Sequence, residues 1–217
     1  MIAIGCLHSA ASNVPLFEEA AGRLGLAPGS LRHMIRPDLL AEIEAAGEDG
    51  PARLLVTAKT AQALGAFAPG CGALLLTCSS LGDVIPFAQA RLRIPLEGAE
   101  AALLRDLVAA PGPGLALCSS PGTLWSTGRR LREAAAERGA TPPPLRLIPG
   151  AWARFRAGEA EAYQAAIREA LDGARAEGFA TIALAQASMA PAAREAPDAL
   201  TSPEAGLREI LRRLDLA

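Results

Sequence analysis

Two stretches of this chain align without a gap, with residue 60 opposite residue 168: TAQALGAFAPGCGALLLTCSS at 60–80 and REALDGARAEGFATIALAQAS at 168–188. Each stretch reads as an amphipathic helix, a glycine turn, a short apolar strand and a small polar loop. The alignment matches the glycines of the two turns and places Cys78 opposite Gln186. An alanine-rich sequence can align with itself by chance, but the matched glycines and loop ends favour a duplicated βα unit.

The same alternation of short apolar runs and longer helical patterns continues along the chain, which is typical of parallel sheets covered by helices. The sequence therefore predicts an α/β fold. We predict strands at 2–5, 30–34, 73–77, 114–117, 145–148 and 181–184. We predict helices at 14–24, 52–66, 98–109, 124–138, 159–177 and 203–214.

The composition excludes several classes of chemistry. Among the 217 residues, Lys59 is the single lysine, and it lies far from any glycine-rich phosphate loop, which argues against P-loop and pyridoxal enzymes. His8 and His33 are the two histidines, and the four cysteines form no Cys-x-x-Cys pair, which argues against a zinc site. We therefore expect no cofactor and no metal.

The charge pattern bears on partners and location. The 21 basic and 23 acidic residues are interspersed and give a net charge of −2, so we expect no nucleic-acid surface. The longest uncharged run, 60–82, is broken by proline and glycines, so we expect no membrane span. Unpatterned cysteines without an export signal are typical of a cytoplasmic protein. Apolar helix faces could support a homo-oligomer, although the sequence locates no interface.

Cys78 is the best candidate for a reactive group. It follows a buried strand and precedes Ser79, Ser80 and a helix start, where the N–H groups of the helix would favour a thiolate and lower its pKa from about 8.5. The alternative is a small buried hydrophobic residue, which is what most core cysteines are. Of the other thiols, Cys6 and Cys71 favour core or turn positions, and Cys118 stays undecided.

Hydroxyl groups at predicted helix starts would bind a small carboxylate without any lysine or arginine. Each could equally be a simple helix cap. His8, which we place in the first loop, could be a second proton carrier or a solvated loop histidine, and we expect His33 to be structural. If two lobes face each other, the polar loops meet in one cleft; the predicted substrate-binding residues are Ser9, Asn13, Ser79, Ser80, Thr123 and Ser188.

Three loops carry a resemblance to a known family. The segments LTCSS (76–80), SSPGTL (119–124) and ALAQASM (183–189) resemble, in order and spacing, the loops of the Asp/Glu racemase superfamily, and LRHMIRPDLL (31–40) is similar to its second strand and following helix. This superfamily includes aspartate, glutamate and hydantoin racemases, arylmalonate decarboxylase and maleate isomerase. The resemblance implies two pseudosymmetric flavodoxin-like lobes, at 1–96 plus 203–217 and at 97–202, with the active-site cleft between them.

The resemblance also implies a mechanism. Racemases of this superfamily place one cysteine on each side of the substrate α-carbon, but here Gln186 occupies the second position. An amide does not titrate, so we expect one-thiol chemistry on a small carboxylic acid, either isomerase or racemase-like chemistry or decarboxylation, with Cys78, Gln186 and His8 as the catalytic candidates. The alternative is a non-catalytic carboxylate-binding protein that keeps the fold.

Overall fold

The computed structural model describes residues 3–47, 50–194, 196 and 198–216. The chain divides into two compact units, with Met1–Ala102 and Pro203–Ala217 in unit 1 and Leu103–Ser202 in unit 2. Within the described residues, every helix is too short or too polar to cross a lipid bilayer. Each unit has its own sheet and its own hydrophobic core.

The described residues form eight strands in two sheets, and all neighbouring strands are parallel. The sheet of unit 1 has the order β2-β1-β3-β4, and that of unit 2 has the order β6-β5-β7-β8. The strands are β1 Ile4–His8, β2 Leu31–Ile35, β3 Ala73–Leu76, β4 Leu96–Gly98, β5 Gly114–Cys118, β6 Leu145–Leu147, β7 Thr181–Leu184 and β8 Ala199–Thr201.

Helices connect the strands in both units. The described α-helices are α1 Asn13–Arg23, α2 Pro37–Ala46, α3 Pro51–Phe67, α4 Ile85–Gln89, α5 Ala99–Ala109, α6 Pro121–Glu137, α7 Ala151–Arg156, α8 Ala160–Ala176 and α9 Ser202–Arg213. Two short 3-10 helices follow β3 and β7, at Ser79–Val84 and Ala187–Ala193. The predicted α/β class with two parallel sheets is confirmed.

The internal repeat has a structural counterpart. In the alignment of 60–80 with 168–188, β3 and β7 begin and end at matched positions, and the two 3-10 helices begin at matched positions. The two sheets have the same topology, with β5, β6, β7 and β8 in the places of β1, β2, β3 and β4. Cys78 and Gln186 are the residues immediately before the two 3-10 helices. The duplicated unit predicted from the sequence alignment is therefore present at the level of fold.

The apolar runs form the cores because parallel strands bury both faces. In unit 1, Leu7, Leu74 and Leu76 of the central strands pack with helix residues such as Leu64. In unit 2, the central strands contribute Leu115, Leu117, Ile182 and Leu184, and α8 contributes Ile167 and Leu171. Strand order places β1 beside β3 and β5 beside β7, so the carboxyl ends of each central pair lie together. In open parallel sheets this switch point of strand order is where ligands bind.

The sequence missed β4, β8, α2, α4 and α7, apart from the resemblance of residues 31–40 to a strand and helix. The two missed strands have three residues each, too few for a periodic pattern to emerge. The first residue of the predicted strand 2–5 lies outside the described part of the chain. The prediction that His8 lies in a loop is wrong: it is the last residue of β1, where it is the register partner of Ile35.

Candidate functional site

Cys78 lies at the carboxyl end of the central strand pair in unit 1. It follows β3 after one residue and occupies the N-cap position of the first 3-10 helix with extended backbone dihedral angles. Its side chain is buried among the core residues at 8% exposure. The neighbouring strand β1 ends at His8, so the loop that begins with Ser9 meets the Cys78 loop at this edge of the sheet.

Hydrogen bonds from four groups favour the thiolate form of Cys78. The hydroxyls of Ser9 and Ser80 and the backbone N–H groups of Ser80 and Leu81 all act to lower the pKa of the thiol. Burial acts in the opposite direction and is the largest effect, so the pKa of Cys78 is raised above its ordinary value. The thiol is therefore protonated at neutral pH, and the donors are already in place for a thiolate.

The predicted lowering of the Cys78 pKa is wrong in sign. We expected the start of a helix to stabilise a thiolate, but the helix that follows is a 3-10 turn of six residues, and a helix that short has only a small dipole. The N–H groups do contribute as predicted. They are outweighed because the sulfur is removed from water, and desolvation disfavours the charged form.

An ion pair anchors the Cys78 loop. Arg53 of α3 donates from Nε and Nη2 to the carboxylate of Asp83 in the 3-10 helix, at 3.3 and 2.9 Å. The same guanidinium contacts the carbonyl oxygen of Ser80 at 3.5 Å. Because Arg53 is largely buried, this pair is screened less than a surface pair and holds the helix against α3. The sequence analysis did not identify Arg53, since nothing near it in sequence signals a site.

His8 lies at the same edge of the sheet, but both of its ring nitrogens contact protein atoms. Nδ1 lies 2.9 Å from Thr77 Oγ1, and Nε2 lies 2.9 Å from Nδ1 of His33. The ring is fully buried, and burial together with the nearby His33 lowers its pKa to about 3. His8 is thus a neutral imidazole at physiological pH. Because its ring nitrogens contact Thr77 and His33, His8 can influence a reaction at Cys78 only through Thr77, the residue before Cys78. His33 has the structural hydrogen bonds that we expected.

Gln186 holds the equivalent position in unit 2, and its amide is fully hydrogen-bonded. Its Oε1 accepts from the N–H and the hydroxyl of Ser119 at 2.8 and 3.1 Å. Its Nε2 donates to the Cys118 sulfur at 3.0 Å and to Thr123 Oγ1 at 2.8 Å. An amide has two donor hydrogens and two acceptor lone pairs, so all four are used inside the protein. Gln186 can donate to a substrate only if it releases one of these bonds.

A directed chain of hydroxyls reaches Gln186 from α8. The Ser119 hydroxyl donates to Gln186, so it must accept from Tyr163, whose Oη lies 3.0 Å away. Tyr163 in turn accepts from Ser188 at 2.8 Å, because its own hydrogen is already donated. Burial raises the pKa of Tyr163, so its phenol stays protonated. Thr123, which accepts from Gln186 Nε2, donates its own hydroxyl hydrogen bond to the carbonyl oxygen of Ser120.

The predicted site residues divide between the two units. In unit 1, Ser9 and Ser80 contact Cys78, and Ser79 and Asn13 are buried residues at the starts of the helices beside it. In unit 2, Thr123 and Ser188 belong to the network around Gln186, and their hydroxyl hydrogens are directed to other protein atoms. Their role in carboxylate binding stays a prediction.

Sequence reasoning missed Thr77, Ser119 and Tyr163. Thr77 was assigned to the end of a strand, and its side-chain contact with His8 depends on strand pairing 69 residues apart. Ser119 lies in the loop motif at 119–124, where the sequence by itself indicates no role for it. Tyr163 is the single tyrosine of the chain and lies on the buried face of α8. A lone tyrosine in that place is the one feature of the sequence that indicates a polar contact inside unit 2.

No protein-family profile and no curated protein sequence matches this chain. Solved structures do match its fold. The aspartate racemase of Picrophilus torridus superposes with a TM-score of 0.72 at 14% identity, covering 98% of this chain and 94% of the racemase. The allantoin racemase of Klebsiella pneumoniae has a TM-score of 0.70 at 19% identity, covering 100% of this chain and 90% of the racemase.

A third similar structure is a variant of arylmalonate decarboxylase in a sulfate-associated form. Its TM-score is 0.58 at 17% identity, and the match covers 98% of this chain and 93% of the decarboxylase. Superpositions at identities this low establish a common fold. The matches extend over both parallel sheets of this chain, since each covers at least 98% of it. This chain therefore has the fold of these two racemases and of the decarboxylase.

Proposed function

We propose that this chain is a cofactor-independent enzyme of the racemase and decarboxylase type that acts on a small carboxylic acid, with Cys78 as the proton-transferring group. The observation that carries the proposal is the set of donors around Cys78. Burial keeps the sulfur protonated, while hydrogen bonds from the hydroxyls of Ser9 and Ser80 and from two backbone N–H groups favour its thiolate form. A purely structural thiol does not need four donors.

This environment suits a thiol that gives a proton away. When the S–H bond breaks and the hydrogen passes to a carbanion or enediolate carbon of the substrate, a thiolate forms in a place where donors already await it. A buried thiolate without such donors would be costly, since desolvation penalises the charged form. The reverse step, removal of a proton by the thiolate, is stabilised in the same way once the thiolate has formed.

The state of Gln186 supports a reaction that uses one thiol. A racemase that works with two cysteines needs an acid on one face of the α-carbon and a base on the other. Gln186 stands in the second position, and its amide is held by Ser119, Cys118 and Thr123. A one-sided proton delivery, as after decarboxylation or during isomerisation of a double bond, requires no second titrating group at that position.

The likeness to a decarboxylase and to racemases gives the class of substrate to test. Proteins named for racemisation of aspartate and allantoin and for decarboxylation of arylmalonate have this fold. We therefore propose small acids with an acidic carbon or a second carboxylate beside the first. The carboxylate would be bound in unit 1 by Ser9, Asn13, Ser79 and Ser80.

The test is incubation with a panel of amino, hydroxy and disubstituted malonic acids in deuterium oxide. Proton NMR measures deuterium incorporation at the α-carbon, and carbon dioxide release is measured in parallel. We expect at least one acid to react, and the rate to fall by roughly 10²–10⁴-fold in Cys78→Ser, because a hydroxyl is a far weaker acid than a thiol. Cys71→Ser is the matched control, since that half-buried thiol bonds to Phe67 and lies outside the Cys78 loop.

The second candidate function is binding of a carboxylate without turnover. Gln186 favours it, because all of its hydrogen bonds are used within the protein. This candidate predicts that no acid of the panel exchanges or loses carbon dioxide, and that an acid which binds the native chain binds Cys78→Ser with the same affinity. That pair of results would rule out the enzyme proposal.

A further inference from the structure

Arg53 of α3 makes contacts with all three nitrogens of its guanidinium. Nη1 donates to the carbonyl oxygen of Gly47 at 3.1 Å, and Nε and Nη2 donate to Asp83 at 3.3 and 2.9 Å. Nη2 also contacts the carbonyl oxygen of Ser80 at 3.5 Å. The side chain is only 14% exposed. A planar guanidinium held at three atoms has one orientation, so the contact with Ser80 is a fixed feature of the Cys78 loop.

The carbonyl that Arg53 contacts belongs to the peptide that joins Ser80 to Leu81. The N–H of Leu81 is the other end of this peptide, and in a trans peptide the two groups point in opposite directions. This N–H is one of the groups whose hydrogen bonds favour the thiolate form of Cys78. It also donates to the Cys78 carbonyl at 3.3 Å, which closes the first turn of the 3-10 helix. Arg53 and Cys78 therefore act on opposite ends of one peptide.

Hydrogen bonds at the two ends of a peptide strengthen each other, because each polarises the group between them. When Cys78 loses its proton, the N–H of Leu81 donates to a negative charge, and electron density moves towards the Ser80 oxygen. A cation beside that oxygen stabilises this shift, since a hydrogen bond from a charged donor is about twice as strong as one from a neutral donor. The guanidinium of Arg53 therefore favours the thiolate over the thiol.

Unit 2 has the corresponding peptide contact, made by an uncharged side chain. Gln164 of α8 donates from Nε2 to the carbonyl oxygen of Ser188 at 2.8 Å, and Ser188 is the residue aligned with Ser80. The next N–H, that of Met189, donates to the Gln186 carbonyl at 3.0 Å and again closes the first turn of a 3-10 helix. In both units, a side chain of the helix before the central strand thus contacts this peptide.

The charge of the donor differs between the units, and it follows the residue that precedes the 3-10 helix. When the alignment is continued backwards, Arg53 lies opposite residue 161, three positions before Gln164. Residues three apart lie on the same side of a helix. The cationic donor belongs to the unit with a thiol, Cys78, and the neutral donor to the unit with an amide, Gln186. An amide does not ionise, so a cation behind its peptide has no charge to stabilise.

We propose that Arg53 is a positioning residue for Cys78, and that it stabilises the thiolate through the peptide between Ser80 and Leu81. Its effect on a reaction rests on the proposed function, whereas its effect on the thiol is measured without a substrate.

The alternative is that Arg53 only anchors the loop through its ion pair with Asp83. Burial is the largest effect on the pKa of Cys78 and raises it, and the effects next in size are hydrogen bonds. Loss of a simple anchor would loosen the loop and let water reach the sulfur, so the pKa of Cys78 would fall. Loss of a group that stabilises the thiolate raises that pKa. The two explanations therefore predict shifts of opposite sign.

The experiment measures the rate of iodoacetamide alkylation at Cys78 over a series of alkaline pH values, by peptide mass spectrometry. It compares Asp83→Asn with the double variant Asp83→Asn, Arg53→Met, so that removal of the arginine leaves no unpaired carboxylate. We expect the midpoint of the double variant to lie about one pH unit higher, with alkylation about tenfold slower at any pH below it. Arg53→Lys in the same background keeps a charged donor and should restore most of the rate.

Lys59→Met is the matched control, because it removes a positive charge from the same helix at an exposed ion pair with Glu42. It should leave the midpoint at its native value. Circular dichroism verifies that each variant is folded. A midpoint that falls or stays the same when Arg53 is removed, or an equal rise in Lys59→Met, would overturn the proposal.

Turnover separates the role of Arg53 from the proposed function. With an acid that reacts, removal of Arg53 should lower kcat more than it changes KM, because the thiolate forms during the reaction. If no acid reacts but the midpoint rises, Arg53 acts on the thiol as proposed and the enzyme proposal fails. If an acid reacts and the midpoint does not rise, the enzyme proposal stands and the role of Arg53 is overturned.

Discussion

At the scale of single residues, the contrast between Cys78 and Gln186 matters most. Both residues precede a 3-10 helix at equivalent places in the duplicated fold. Around Cys78, hydrogen bonds favour the thiolate form of a sulfur atom, which can lose a proton. Around Gln186 the partners use every hydrogen-bonding position of an amide, which cannot. The same backbone position therefore holds a protonated thiol in one unit and a fully hydrogen-bonded amide in the other.

The donors around Cys78 predict how its reactivity responds to a mutation. Ser9→Ala removes a hydroxyl that stabilises the thiolate, so the pKa of Cys78 should rise further. A hydrogen bond to a charged group contributes about 1.5–3 kcal/mol, so we expect alkylation by iodoacetamide at pH 8.5 to slow by at least about tenfold. Peptide mass spectrometry measures the rate at each cysteine.

Ser12→Ala is the control for this measurement, because Ser12 is exposed and its side chain does not cap α1. It should alkylate like the native chain. In the native chain itself, the rate at Cys78 should still be rising at pH values where an ordinary thiol is fully ionised. A rate that levels off near pH 8 would show that burial does not raise the pKa.

The hydrogen bonds of Gln186 predict a large effect on stability. Leucine has a volume similar to that of glutamine. Gln186→Leu nevertheless leaves the N–H of Ser119 and the Oγ1 of Thr123 without their hydrogen bonds to the amide. At about 1 kcal/mol for each bond, with more for a buried group left unpaired, we expect a loss of roughly 3–4 kcal/mol in urea unfolding. Gln164→Leu, whose Nε2 donates one bond to the Ser188 carbonyl, should lose about 1 kcal/mol. Equal losses would contradict a special role for Gln186.

At the scale of elements, the last helix is a structural part of unit 1. Arg213 of α9 donates to the buried carboxylate of Glu97 in β4 and also contacts the Leu96 carbonyl. A Cβ on Gly206 would lie 2.8 Å from the Cα and 2.9 Å from the Cβ of Ala99, at the start of α5. The helix can approach this closely because residue 206 has no side chain.

Gly206→Ala should therefore destabilise the protein although alanine is the better helix former. Backbone atoms of Ala99 cannot move aside as a flexible side chain can, and overpacking of this kind costs about 1–3 kcal/mol. Gly22→Ala is the matched control in α1, where a Cβ meets no atom within 4 Å, and it should gain up to about 1 kcal/mol. Thermal unfolding of both variants measures the difference, and a neutral Gly206→Ala would contradict the close contact.

At the scale of the whole molecule, the fold was predictable and the two polar networks were not. The apolar strands and the glycine turns have local patterns, and the alignment of 60–80 with 168–188 joined them into a duplicated architecture. Cys78 was found in the same way, from its place after a buried strand. The bonds of Gln186 to Ser119 and of His8 to Thr77 join residues 67 and 69 positions apart. Such contacts depend on strand pairing, for which a local pattern contains no signal.

The buried histidine predicts how the stability of the chain depends on pH. The pKa of His8 is about 3 in the folded chain and about 6.5 in an unfolded one. Below pH 6.5 the unfolded chain takes up a proton that the folded chain does not, so stability is complete above that pH and declines as pH falls towards 3. Below about pH 4.5, Glu209 adds to the decline, because its pKa is lowered to about 2 by its bonds to Arg212 and Arg213.

Urea unfolding between pH 3.5 and 7.5 measures this dependence. We expect the free energy of unfolding to decrease by a few kcal/mol over this range. His8 contributes about 1.4 kcal/mol for each pH unit between its unfolded and its folded pKa. Nitrogen-15 signals of the folded chain should show His8 still neutral at pH 4.5. A flat stability profile, together with a His8 ring that takes up its proton near pH 6, would contradict its burial as a neutral imidazole.

Unit 1 is built from two separated parts of the chain, and this has a consequence for synthesis on the ribosome. Residues 103–202, which form unit 2, are continuous and can fold as soon as they have emerged. Unit 1 begins first but is completed last, since α9 is made after all of unit 2. Until then the nascent β4 has no Arg213 beside Glu97. The half of the protein that contains Cys78 should therefore mature only after α9 has emerged, when the other half has already been able to fold.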